Sequence, residues 1–290
     1  MCDSDINRRA FTAASIAAGA AIGAAWGASA QAAGVKESDV TIKTADGETD
    51  AALYVPAGKG PFPGVVIFTD IFGLRPAFRD MGKRLASNGY VVLVPNPFYR
   101  TKKGPLLTAE EQASFNFAKD AAKLQPHLGP ANSNFNGDAN AWITYLDGLP
   151  QVSKKNKLAV TGYCMGGPRV VQASALRADR VGAAMACHPG NALITKNPDS
   201  PHLLAPKIKA KTFFAIAQND AAQWAMQHAG EPGIDQQLKA AYAAAGNPAG
   251  AEVYKAAHGW CLNDGAAWNK DEAERAFTQM LATFKEGTAA

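Results

Sequence analysis

Three side chains capable of nucleophilic acyl chemistry follow one another in the order Cys164, Asp220, His258. Cys164 stands in Gly162-Tyr163-Cys164-Met165-Gly166-Gly167, between the strand-like run Leu158 to Thr161 and a helix-like segment. That layout is a nucleophile elbow, with a thiol where a hydroxyl is commoner. A side chain at position 162 or 166 would crowd a turn tight enough to hold a nucleophile at a strand tip. The same turn aims the first N–H groups of the next helix at whatever the sulfur attacks. Asp220 follows the run Thr212 to Ala217, and His258 follows Glu252 to Ala256. Active sites of parallel sheets gather outside the carboxyl ends of the strands, so the three positions converge on one place. In that arrangement His258 takes the thiol proton, Asp220 orients the imidazole and Cys164 attacks an acyl carbon. Taken singly, Asp220 reads equally well as a helix cap or turn former. Its place in the order assigns it to a triad.

The elements around these residues alternate. Val40 to Lys43 and Ala52 to Val55, joined through Asp46-Gly47, predict an antiparallel hairpin. Further strands are expected at Val65 to Thr69, Tyr90 to Val94, Leu158 to Thr161, Val181 to Ala186, Thr212 to Ala217 and Glu252 to Ala256. Helical spacing marks Ala77 to Ser87, Thr108 to Leu124, Gly137 to Leu149, Pro168 to Leu176, Ile234 to Ala245 and Ala266 to Lys285. Strands followed by helices this many times imply a mostly parallel sheet covered on both faces, an α/β fold in one domain over residues 33–290. Residues 101–135 are the longest stretch outside this alternation and are a candidate cap over the site.

The first residues differ in kind. Asn7-Arg8-Arg9-Ala10-Phe11 precedes an uncharged run from Thr12 to Ala25 rich in Ala and Gly, with Ala28-Ser29-Ala30 and Ala30-Gln31-Ala32 fitting a small-residue cleavage site. This pattern reads as a twin-arginine export signal over residues 1–32, handled by the twin-arginine export machinery, with a periplasmic mature protein. It is too weakly apolar for stable insertion in a membrane. The chain has 290 residues and a formal net charge of +4, but its Lys and Arg are scattered, which argues against a nucleic-acid partner. Cys187 and Cys261 read as buried inert thiols, although a pairing between them stays open. Among the other histidines, only His188 also follows a predicted strand, where it would line the pocket without being the base. No His or Cys group has metal-ligand spacing, and the chemistry needs no cofactor.

The elbow, the downstream Asp220, His258-Gly259-Trp260 and the early Thr69-Asp70-Ile71-Phe72-Gly73 together resemble the dienelactone hydrolase (carboxymethylenebutenolidase) family over about residues 36 to 286. The resemblance implies an α/β-hydrolase fold and a Cys-His-Asp triad that cleaves an enol-lactone or related ester through a thioacyl-enzyme. The oxyanion would be held by the N–H groups of Met165 and Ile71, and Trp260, close after the base, would contact the thiol or the substrate. Two departures bear on substrate. The family commonly has a glutamate interacting with the resting thiol where this chain has Asp70, one methylene shorter. Of two arginines that bind a substrate carboxylate, Arg100 matches the first, while Leu262 occupies the second place. Losing one points to a different, less acidic substrate, and Arg100 itself is equally readable as a surface charge. Two other readings remain on the same fold: a general carboxylesterase or thioesterase, and a non-catalytic small-molecule-binding protein.

Overall fold

The computed structural model describes residues 34–190 and 193–289, so the export-signal segment lies outside the described residues. Eight strands form one sheet: β1 (Lys36–Thr44), β2 (Gly47–Val55), β3 (Gly64–Phe68), β4 (Val91–Pro95), β5 (Leu158–Tyr163), β6 (Val181–Cys187), β7 (Lys211–Ala217) and β8 (Gly250–Tyr254). Their spatial order is β1-β2-β4-β3-β5-β6-β7-β8. The β1–β2 hairpin and the β2–β4 pair are antiparallel. From β4 to β8 every pairing is parallel. Strands β3 and β4 are buried at every residue, as β-branched runs covered on both faces must be.

The helices are α1 (Pro76–Ala86), α2 (Ala109–Ala113), α3 (Phe117–Asp120), α4 (Gln125–Asn132), α5 (Phe135–Gly148), α6 (Gly166–Leu176), α7 (Pro201–Leu204), α8 (Gln218–Gln227), α9 (Ile234–Ala244) and α10 (Lys270–Gly287). The pleat sorts the strand residues into two cores. Val66, Val160 and Phe214 face α5, α6 and α9 through Trp142, Leu146, Val170 and Leu238. Val65, Ile67 and Val92 face α1 and α10 through Phe78, Leu85, Phe277 and Phe284. This is the α/β-hydrolase fold. Among the described residues no helix is long and apolar enough to cross a membrane.

Three differences from the sequence expectations have local causes. The helix expected over Thr108 to Leu124 is broken. Thr108 starts α2 with a capping box, and Asn116 starts α3 afresh by accepting from the Ala118 N–H. Capping side chains inside a helix-like pattern compete with its continuation. The last helix begins at Lys270 because Asn269 caps it, accepting from the Glu272 N–H at 3.2 Å. The third difference is the extent of α8: a helix is expected at His228, and it begins back at Gln218, so that it carries Asp220 in its first turn. The 101–135 segment does lie over the elbow side. Leu106, Leu124 and Ala131 pack with Phe98 into a small cluster that Ile71, Phe72 and Met165 join.

Candidate active site

Strand β5 ends in the elbow, and Cys164 takes a φ of +52°, left-handed backbone that a non-glycine residue seldom adopts. Two backbone bonds hold it there: the Cys164 N–H donates to the Cys187 carbonyl at 3.1 Å, and the Gly167 N–H to the Cys164 carbonyl at 2.9 Å. The flanking glycines are sterically required. An added Cβ at Gly162 would overlap the Gly166 carbonyl, and one at Gly166 would overlap the carbonyl of Phe68 on β3. The helix thus packs against the neighbouring strand at backbone distance, and the thiol is left partly exposed at the tip.

The base and its orienter come from the ends of β7 and β8. The Asp220 side chain, on the first turn of α8, is almost wholly buried. Its Oδ2 accepts from His258 Nδ1 at 2.8 Å. The loop carrying the imidazole is fixed by the Asn219 side chain, whose Oδ1 accepts from the His258 N–H at 2.8 Å. The Cys164 sulfur lies near enough to act on the charge of the His258 ring. Burial opposes a charge on this imidazole, but the bond to Asp220 and the nearby Cys164 sulfur outweigh it and push its pKa up to about 10. At neutral pH the His258 ring therefore carries a proton, with the Asp220 carboxylate on one side and the Cys164 sulfur nearby. Cys164, His258 and Asp220 form one connected chain of contacts.

Neither the Met165 nor the Ile71 N–H donates to another group among the described residues. Met165 caps the N-terminus of α6, where such donors point outward. Ile71 is positioned by its neighbour. Asp70 does not spend its carboxylate on the thiol: Oδ1 accepts from Arg75 at 2.7 Å and from the Phe72 N–H at 2.9 Å, and Oδ2 accepts from Arg75 at 2.9 Å. Arg75 reaches in turn to Asp264 at 2.7 Å. Burial pushes the Asp70 carboxyl up, against the pull of Arg75. The pair pins the turn that carries Ile71.

Arg100 is likewise committed. It donates to Asp138 at 2.7 Å and to Asp46, and it stacks over Tyr99. Its charge is neutralised by two carboxylates, which leaves no free fork for a substrate carboxylate. His188 lies under the base, wholly buried, its ring edge-on to His258 with centroids 4.9 Å apart. Its φ is +37°, and burial followed by the nearby His258 charge pushes its pKa well below the usual histidine value, so it is neutral. Trp260 is buried behind it, stacked on Tyr254 at 5.2 Å. Leu262 is buried in the core beside these rings. Cys187 and Cys261 are buried free thiols, and burial followed by contact with Cys187 pushes the Cys261 thiol well up.

Sequence reasoning missed Asn219, Arg75 and Asp264. Arg75 and Asp264 are 189 positions apart, and no local pattern announces such a pair.

The model of the "Dienelactone hydrolase family" matches residues 49–288. The chain belongs to the dienelactone hydrolase family. A curated carboxymethylenebutenolidase from Pseudomonas putida is 29% identical over 128 residues, covering 44% of this chain and 51% of that one. The chain spans about half the length of the curated relatives it matches. Among solved structures, a dienelactone hydrolase-like promiscuous phosphotriesterase from metagenomic libraries superposes with a TM-score of 0.64 at 18% identity, covering 88% of this chain and 100% of that one. A dienelactone hydrolase from Anabaena variabilis does so with a TM-score of 0.56 at 19% identity, covering 88% and 99%. At such identities the likeness speaks for the fold alone.

Proposed function

We propose that this protein hydrolyses a lactone or carboxylic ester through a thioacyl-enzyme on Cys164. One observation carries the reading: a partly exposed thiol in left-handed backbone at a strand tip, beside an imidazole that a buried carboxylate orients. Membership of the dienelactone hydrolase family supports it. The sulfur attacks the ester carbonyl while the proton rests on His258. The developing oxyanion lies between the Met165 and Ile71 N–H groups. The imidazolium then donates its proton to the leaving alkoxide. Once the sulfur is acylated, it no longer supports the charge on His258, and burial favours the neutral ring. That neutral imidazole is the base that activates water for deacylation. The same residue thus serves as acid and then base because its neighbour changes.

Acyl trapping tests this directly. Protein mixed briefly with p-nitrophenyl acetate and quenched in acid should carry one acetyl group on the peptide containing Cys164. Turnover with the acyl group elsewhere, or with no acyl-enzyme under burst conditions, would remove the thioacyl step.

The reading of residues 1–32 as a twin-arginine export signal is part of the same proposal, supported by Arg8-Arg9 and the uncharged Ala/Gly run after them. In a bacterium with that export route, the full chain should be recovered from the periplasm. With Arg8→Lys and Arg9→Lys together it should stay in the cytoplasm. Cytoplasmic retention of the unaltered chain would contradict the reading.

A further inference from the structure

Asp264 stands six positions after His258 and joins three parts of the chain. Its carboxylate accepts from Arg75 Nε at 2.7 Å and from Arg75 Nη2 at 3.2 Å. Its Oδ2 also accepts from Gln112 Nε2, on α2 of the cap, at 2.9 Å. Arg75 passes the connection to Asp70, whose Oδ1 accepts from the Phe72 N–H at 2.9 Å. The Phe72 ring meets Phe115 edge-on, with centroids 5.2 Å apart. The Phe115 N–H donates to the Gln112 carbonyl at 3.1 Å, which closes the circuit. Ile71 lies inside this ring of contacts, between Asp70 and Phe72.

The cap side of the circuit is thinly attached. Helix α2 is five residues long and α3 four, and neither buries a side chain. Helices this short do not stand alone in water. Phe115 and Phe117 both lie against Phe72, yet Phe117 is 59% exposed. A segment with few buried apolar contacts opens at low free energy, so one side-chain bond to the body shifts its balance. Arg75 keeps its two bonds to Asp70 whatever Asp264 does, so losing Asp264 strands no buried charge. What is lost is the tie between cap and turn.

The geometry points to Asp264 as a positioning residue that fastens the cap to the turn carrying Ile71, so that the Ile71 N–H is set in place with the cap down. This rests on the acyl-transfer reading of Cys164 and adds a conformational condition to it. An oxyanion donor acts only within hydrogen-bond distance of the developing charge. A loosened turn therefore lowers the rate more than it weakens binding.

Two readouts test it: kcat and KM on p-nitrophenyl acetate, and the rate at which trypsin cuts after Lys119, an exposed residue of α3. Cutting within a helix needs local opening, so its rate follows the open population. Gln112→Ala should speed the cut by about 2- to 10-fold, the range of one hydrogen bond, and lower kcat with KM little changed. Asp264→Ala should do both at least as strongly, and Asp264→Asn, which keeps one acceptor oxygen, should do both less. Gln112→Ala combined with Asp264→Ala should cut no faster than Asp264→Ala alone, because both remove the same tie. Additive effects, an unchanged cutting rate, or faster cutting with unchanged kcat overturns the proposal. If the unaltered protein does not turn over the ester, the reading of Cys164 fails, and the cutting rates decide this proposal alone. Non-additive acceleration then upholds it, and additive or absent acceleration overturns it. Should Asp264→Ala not fold, Gln112→Ala decides: faster cutting with lower kcat upholds the proposal, and either one unchanged overturns it.

Discussion

Cys164→Ala should lower kcat/KM on activated aryl esters or lactones by at least about 10,000-fold while leaving the fold intact, a loss of the size seen when a nucleophile is removed from a triad. The argument is geometric. Cys164 is partly exposed, contributes little to either core, and is held by its own backbone bonds to Cys187 and Gly167. Alanine keeps those bonds and tolerates the left-handed turn about as well as cysteine does. The thermal midpoint should therefore move little, which separates lost chemistry from lost structure. Cys164→Ser should fall between the two, because a hydroxyl needs more help from the base than a thiol does. In that variant His258 loses the sulfur that helps hold its proton, and its pKa should fall from about 10. An NMR titration of the His258 ring in both proteins measures this. Full esterase activity in Cys164→Ala would remove the nucleophile from the mechanism.

How far the site could be read from the chain depends on which contacts are local. The elbow is local: Gly162, Cys164 and Gly166 stand within five residues, and the overlap that forbids a Cβ at Gly162 is with the Gly166 carbonyl of the same turn, whereas the one at Gly166 comes from Phe68 on β3. Strand-end positions are also legible, so the order of Asp220 and His258 places two residues that meet at 2.8 Å. The fate of Asp70 and Arg100 could not be read. Each is decided by a partner that the pattern does not mark, Arg75 for one and Asp138 for the other. Charge partners depend on side-chain reach across the tertiary structure, whereas strand and elbow signals depend on spacing along the chain. The start of helix α8 escapes notice for a related reason. It buries few side chains, chiefly Asp220 and Trp224, so it lacks the apolar stripe that reveals a helix.

Arg75→Met should be the most damaging single substitution outside the triad, because it strands a buried carboxylate. Asp70 is 6% exposed and Arg75 is 4% exposed, so the pair is sequestered from water. Removing one partner of a buried pair typically costs about 3–5 kcal/mol, mostly for the charge left behind. For a chain of this size that is a fall of roughly 10 °C in thermal midpoint. The pH dependence identifies the cause. Without the guanidinium, burial is opposed only by the Phe72 N–H, and the Asp70 pKa rises further. A carboxyl whose folded pKa lies above its unfolded value binds its proton more tightly in the folded state. The destabilisation should therefore be greatest above the folded pKa and shrink as pH falls through it. Asp70→Asn in the Arg75→Met background should recover part of the loss at neutral pH, since the amide carries no charge and its oxygen still accepts from Phe72. Catalysis should respond separately. The Asp70–Arg75 pair anchors the turn bearing Ile71, so kcat should fall more than KM changes if that N–H holds the oxyanion. Thermal unfolding and steady-state kinetics across pH, on both variants, measure the two effects. A pH-independent loss of stability in Arg75→Met would mean that packing of the guanidinium over Phe72 and Phe78, not its charge, holds the turn.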